Sequence, residues 1–335
     1  MSDIEDDEFR MEPDESEDDG TRDGQEEAMP ETQLKVSLLS TCALTLDTIK
    51  DGLSLLCRTG NGLSHAFVKL ELVNRSLTDI SVLESFVHLR FIDLSNNHLS
   101  DLTPLAALTQ LLWLKMDGNQ VEEIKGQKLE PLAYLQWFSL AKNCLTNVEG
   151  LSGPALETLN LIGNGIHRMQ GLQCHKLTNL VTLELRGNRL ESTEGLYLPN
   201  LRQLYLAQNI IKRLEGLHKL ERLTTLHLRD NQLKNLDGIS SGMKSLQYLN
   251  VRGNLIFNLK SLRSLLGVAA TLRALVLAEN PVGEVDDYRL FVLSQLPLLE
   301  RLDKDPVTDE EKADALERQK EFGKVEDEDA QEPKE

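Results

Sequence analysis

The strongest constraint on this 335-residue chain is a spacing. From Leu223 to Leu233 it reads LTTLHLRDNQL, that is L-x-x-L-x-L-x-x-N-x-L. The same frame recurs at Asn97, Asn119, Asn143, Asn164, Asn188, Asn209, Asn231, Asn254 and Asn280, with 21 to 26 residues between successive asparagines. A unit that short holds one strand, one corner and a brief return, and its leucines can be covered only by the units before and after it. Units repeated in phase therefore stack, with their strands side by side and running the same way.

The frame is that of a leucine-rich repeat. The expected fold class is α/β: a solenoid of about ten short repeats of ~22 residues, with a parallel concave sheet and 3-10 turns on the convex side. The tenth repeat comes first in the chain, as FVKLELVNRSLTDISVL, with Arg75 where the asparagine is expected. Each repeat supplies five or six apolar side chains, such as Leu201, Leu204, Leu206, Ile211, Leu214 and Leu217. Burying one leucine is worth roughly 1.5–3 kcal/mol. The asparagine amide suits the backbone groups of the corner, which would cost roughly 1–3 kcal/mol each if buried unpaired. Gly-apolar pairs such as Gly195-Leu196 and Gly216-Leu217 mark the convex return. Thr193 interrupts the apolar series and reads as a tolerated edge position.

The ends differ from the repeats. Residues 1–33 carry 15 acidic side chains against two arginines and almost nothing apolar, so they read as a disordered acidic tail. Residues 34–64 are expected to form a helical N-terminal cap. Leu46, Ile49, Leu53 and Leu56 make one apolar stripe, and Gly60-Asn61-Gly62 ends the helix. Such a cap covers the leucines and the strand edge of the first repeat. Residues 65–280 are the repeats, and 281–306 a C-terminal cap in which Asp286 and Asp287 open a helix that Pro297 stops. Within 307–335, Thr308 and Glu311 fit a capping box for a helix from Asp309 to about Phe322, followed by an acidic tail.

The net charge of −18 belongs to those ends. Removing residues 1–33 and 304–335 leaves a body of about +2, with no concentrated basic surface for nucleic acid. Cys42, Cys57, Cys144 and Cys174 form no disulfide or zinc pattern. The start, MSDIEDDEFR, has no signal-peptide character, and the best apolar run, Ser264 to Leu277, is too short to span a bilayer and includes Arg273. A cytoplasmic protein is expected. No phosphate loop, H-E-x-x-H or G-x-S-x-G is present, so neither catalytic residues nor a cofactor, metal or small-molecule substrate is expected. Cys174-His175 with His167 nearby reads as rim residues.

Function should reside in the third, fifth and seventh positions of the frame, which project from the concave face. Phe91, Trp113 and Trp137 share the third position in consecutive repeats. They predict a contiguous aromatic row of the kind that anchors protein interfaces. A second cluster joins Tyr205, His227 and Tyr248 to Arg186, Arg229 and Arg252, which suits an acidic or carboxylate-bearing partner segment. The alternatives are that the chain's own acidic tails cover these rows, or that they have no role.

The residues outside the frame carry a closer likeness. The stretch from Asn280, NPVGEVDDYRLFVLSQLPLLERLDKDPVTDEE, resembles the C-terminal cap of short-repeat proteins, including spliceosomal and dynein-associated members. The cap stretch DGLSLLCRTGNGLSHAFVKLEL, with TTLHLRDNQL, MKSLQYLNVRGN and LRALVLAENP, resembles a family of leucine-rich repeat proteins from ciliary and flagellar radial spokes. That likeness covers roughly residues 45–303. It implies a non-enzymatic structural role in the 9+2 axoneme, at the spoke head, with spoke-head proteins as partners and flagellar motility as outcome. It implies no ligand residues. Two other readings stand beside it: a regulatory subunit of a protein phosphatase, and an acidic nuclear chaperone for basic proteins.

Overall fold

The computed structural model describes residues 42–60 and 62–318. The expected tail over 1–33, the first part of the N-terminal cap (34–41) and the end of the acidic C-terminal segment (319–335) lie outside the described residues.

Thirteen strands make one sheet in strict chain order. They are β1 (Leu53–Arg58), β2 (His65–Glu71), β3 (Phe91–Asp93), β4 (Trp113–Lys115), β5 (Trp137–Ser139), β6 (Thr158–Asn160), β7 (Thr182–Glu184), β8 (Gln203–Tyr205), β9 (Thr225–His227), β10 (Tyr248–Asn250), β11 (Ala274–Val276), β12 (Arg301–Leu302) and β13 (Asp305–Pro306). From β2 to β12 every pairing is parallel. Like template positions stand opposite one another, so each forms a column across the sheet. The fourth column, including Leu114, Leu159, Leu204 and Leu249, points into the core and is fully buried. The third and fifth point the other way because successive strand side chains alternate.

The asparagines build the corner as expected. Asn231 donates from Nδ2 to the Leu206 and Leu228 carbonyls at 2.9 and 3.0 Å, while its Oδ1 accepts from the Ile211 N–H at 3.0 Å. Each bridges its own strand to the preceding repeat, and the series runs unbroken from Asn97 to Asn280. The residue before each is at positive φ, 53° to 68°, which turns the backbone towards the amide. On the convex side the return is made with 3-10 turns, among them Thr103–Ala107 and Leu217–Lys219.

Thr193 is not a tolerated edge residue. It is fully buried, donates to the Glu215 carbonyl at 2.8 Å and accepts from the Glu215 N–H at 2.7 Å. Its hydroxyl ties two repeats together where leucine would tie none.

The N-terminal cap also departs from expectation. Its helix, α1 (Leu46–Gly52), opens on a Thr45–Thr48 capping box but stops at Gly52. A Cβ there would stand 2.5 Å from the Glu71 carbonyl, so only glycine allows the approach. Ile49 is buried, whereas Leu46 and Leu56 are 60% and 59% exposed, so the proposed stripe is not one face. Leu53 to Arg58 is a strand, antiparallel to β2, with the Thr59 N–H donating to the Ser64 carbonyl between the two. The physical reason is the exposed edge of β2. A helix can cover apolar side chains, but only a strand satisfies a row of backbone groups.

At the other end, α2 (Tyr288–Gln295) is followed by β12 and the antiparallel β13. Asp287 precedes the helix with no capping bond, its carboxylate being taken by Arg318 at 2.6 Å. Asp303 holds the cap by accepting from the Leu277 and Ala278 N–H groups and the Tyr288 hydroxyl, at 2.6 to 2.7 Å. Burial and that carboxylate push the Tyr288 phenol far above its ordinary value. Thr308 and Glu311 form the expected capping box, and the helix is described over 309–318. Arg289 latches it down, donating to Glu311 at 2.5 and 3.1 Å and to the carbonyls of Leu302 and Pro306.

Candidate functional site on the concave sheet

The predicted aromatic residues stand on the concave columns. Phe91, Trp113 and Trp137 are in register across β3, β4 and β5. The two indoles stack with centroids 4.5 Å apart and planes 10° from parallel. Phe91 shares the column, but among the described residues no ring contact joins it to Trp113. The row is therefore a stacked pair beside a third ring, all half-buried.

Beside the indole column, centred on the fifth, lies a polar network the sequence did not disclose. Asp93 accepts from the Ser95 N–H and hydroxyl at 3.0 and 2.6 Å. Asp117 likewise accepts from the buried Ser139 hydroxyl and from the Ala141 N–H. Lys115 stands between the two carboxylates at 3.9 and 3.8 Å. These bonds turn the seventh position away from the concave face in two repeats, where Ser95 and Ala141 are buried. That position belongs to the corner, because each strand is only three residues long from β3 to β11.

The second cluster also assembles. Tyr205 stacks on His227 at 4.7 Å, and His227 on Tyr248 at 4.9 Å. Tyr205 and His227 occupy the fifth column, whereas Tyr248 reaches diagonally from the third. Each of the three flanking arginines meets a side chain of this chain. Arg229 pairs with Asp230 at 3.2 Å, Arg252 with Glu279, and Arg186 donates from Nε to Gln208 at 3.0 Å. Arg252 in turn holds the Glu279 carboxyl below its ordinary range. Arg229 and Arg252 thus meet carboxylates of the chain, while Gln208, being neutral, orients Arg186 without cancelling its charge.

Sequence reasoning passed over Glu184, which stands next to Tyr205 in the fifth column. Burial raises its titration from 4.5 to about 7, against a smaller opposing pull from Arg186. Burial, Glu184 and Tyr248 together raise the Tyr205 phenol. The only signal in the sequence was an acidic residue at an outward position.

Among the described residues no group of His, Cys, Asp and Glu could hold a metal ion, and no helix is long and apolar enough to cross a membrane. All four cysteines are free thiols.

Known proteins match this geometry. Leucine-rich repeat family models match residues 173–330 and 88–108. The chain is 51% identical to leucine-rich repeat-containing protein 23 of Homo sapiens, over 81% of this chain and 78% of that one. It is 48% identical to the protein of that name from Mus musculus, over 95% and 92% of the two chains. The Xenopus tropicalis protein is 51% identical, over 83% and 78%. Among solved structures, the fold is similar to that in a TLR13–ssRNA13 complex, with TM-score 0.55 and 23% identity over 70% of this chain and 35% of that one. It is also similar to the functional domain of InlJ from Listeria monocytogenes, with TM-score 0.50 and 21% identity over 72% and 55%. At these identities the structural likeness speaks for the fold alone.

Proposed function

The chain belongs to the leucine-rich repeat-containing protein 23 family, and from that premise we propose that it is a non-enzymatic scaffold of the axonemal radial spoke head. It binds other spoke proteins through the concave sheet and supports motility of cilia and flagella, including that of sperm. Its place is the cytoskeleton of the axoneme. The fold is of a kind whose extended concave surface serves protein binding. The spoke assignment follows from the family resemblance, and the mode of binding from the geometry.

The observation that carries the binding mode is the Trp113–Trp137 stack. Both tryptophans of the chain stand half-exposed on adjacent strands, on a face whose other outward positions are mostly small or charged. Large rigid aromatics in such a place are the usual anchors of an interface.

The test is a tagged full-length protein expressed in ciliated cells, compared with W113A/W137A. Axonemal staining and capture of spoke-head proteins are expected from the wild type, with capture weakened at least about tenfold in the double variant. Nuclear staining, or phosphatase activity in the immunoprecipitate in place of spoke proteins, would refute the spoke assignment. Unchanged capture by a folded double variant would refute the binding mode.

A further inference from the structure

The geometry points to a receptor for one basic side chain of the docked partner, formed by the Glu184 carboxylate and the face of the Tyr205 ring turned to β7. This rests on the docking reading above and adds the chemistry of what is recognised.

The starting observation is a mismatch. Other carboxylates on or beside the concave sheet have a donor from this chain. Glu71 meets Lys69 at 2.8 Å, Asp93 the Ser95 hydroxyl, Asp117 the Ser139 hydroxyl, Asp230 meets Arg229, and Glu279 meets Arg252. Among the described residues no hydrogen bond and no ion pair within 4.0 Å reaches the carboxylate of Glu184. Its neighbours explain why. Asn160, in the same column on β6, is turned towards its own corner, where its Oδ1 accepts from the Ile162 N–H at 3.0 Å. Arg186, the nearest cation along its own strand, is drawn off by Gln208. On β8 stands Tyr205, and beyond it His227 and Tyr248. A carboxylate half withdrawn from water and given no donor is a poor arrangement for the protein alone and a good one for a complex that brings the donor.

Tyr205 supplies the second contact. His227 covers the face of its ring turned to β9. The opposite face is turned to β7, where Glu184 stands in register. A guanidinium laid against that face has a π surface on one side and a carboxylate at its edge, which matches its planar fork. An ammonium would find the same pair, with weaker geometric matching. The partner segment recognised here is therefore basic, the reverse of what the neighbouring arginines suggest in sequence, because Arg229 and Arg252 are already paired with carboxylates of the chain.

The test uses the full-length protein and a short glycine–serine peptide with one central arginine, beside its citrulline counterpart of equal shape and no charge. The chain has five tyrosines, so selective isotope labelling gives a readable set of ring signals, with Y205F fixing the assignment. The arginine peptide is expected to move the Tyr205 signal saturably and to leave Tyr134 and Tyr197, exposed outside the concave columns, unmoved. Citrulline should leave Tyr205 in place, and E184Q should weaken the arginine response at least about tenfold. A Tyr205 signal indifferent to the arginine peptide, an equal response to citrulline, or an unchanged affinity in E184Q would each overturn the assignment. Loss of that response in a protein that still captures partners through Trp113 and Trp137 would refute this site alone.

Discussion

Replacing Glu184 with glutamine is expected to stabilise the protein above neutrality and to change little in acid. The carboxyl titrates at about 7 in the folded chain, against 4.5 ordinarily, because burial penalises its charged form. Between those two values the folded state holds a proton that the unfolded chain has released, so stability falls as pH rises through that window. The contribution is fully present below 4.5 and lost above about 7. At 1.36 kcal/mol per pH interval, the full difference is about 3 kcal/mol, and the side chain's remaining contact with water trims it to about 2. Glutamine keeps the shape and removes the titration. Thermal unfolding followed by circular dichroism should place E184Q roughly 4–8 °C above the wild type at about pH 8, and level with it at about pH 4. An equal gap at both pH values would mean that packing, and not the buried charge, governs the site. No gap at either would refute the reasoning. Combined with the peptide experiment, the variant separates two roles: it should be more stable and bind less.

Two further substitutions test the scaffold. T193V keeps the volume but strips both partners from the half-buried Glu215 peptide groups, so it should cost about 1–3 kcal/mol in urea unfolding; an unaltered midpoint would show the hydroxyl to be idle. R289A removes the latch over the last helix, and hydrogen exchange of residues 309–318 should accelerate while β7 to β10 keep their protection. Uniform acceleration would show that the latch supports the whole stack.

The repeats were legible because each template residue acts on its nearest neighbours, and the period itself says which neighbours those are. Asn231 needs only the carbonyls of its own and the preceding repeat. What escaped was decided elsewhere in the chain. LSLLCR continues the helical spacing of Leu46 and Ile49, but the open edge of β2 decides for the strand. Thr193 looks like a lapse until the Glu215 backbone is placed against it. The aromatic clusters could be found from the columns, but not the state of their charges. Arg252 is paired with a residue 27 positions later, and Glu184 differs from Glu71 in being half-buried and in having no lysine beside it.

The antiparallel strands at either end of the sheet, β1 and β13, have a consequence for assembly. Parallel stacking can otherwise continue from one molecule into the next, giving filaments whose length follows concentration. Here the outermost strand at each end of the described sheet runs the other way, so a neighbouring molecule does not find the parallel register that the stack repeats. With strands about 4.8 Å apart, β2 to β12 extend roughly 50 Å, and the tryptophan pair lies roughly 20 Å from the tyrosine–histidine stack. The protein thus behaves as a gauge of fixed pitch, on which inserting or deleting one repeat would shift the distance between two bound partners by a single strand spacing.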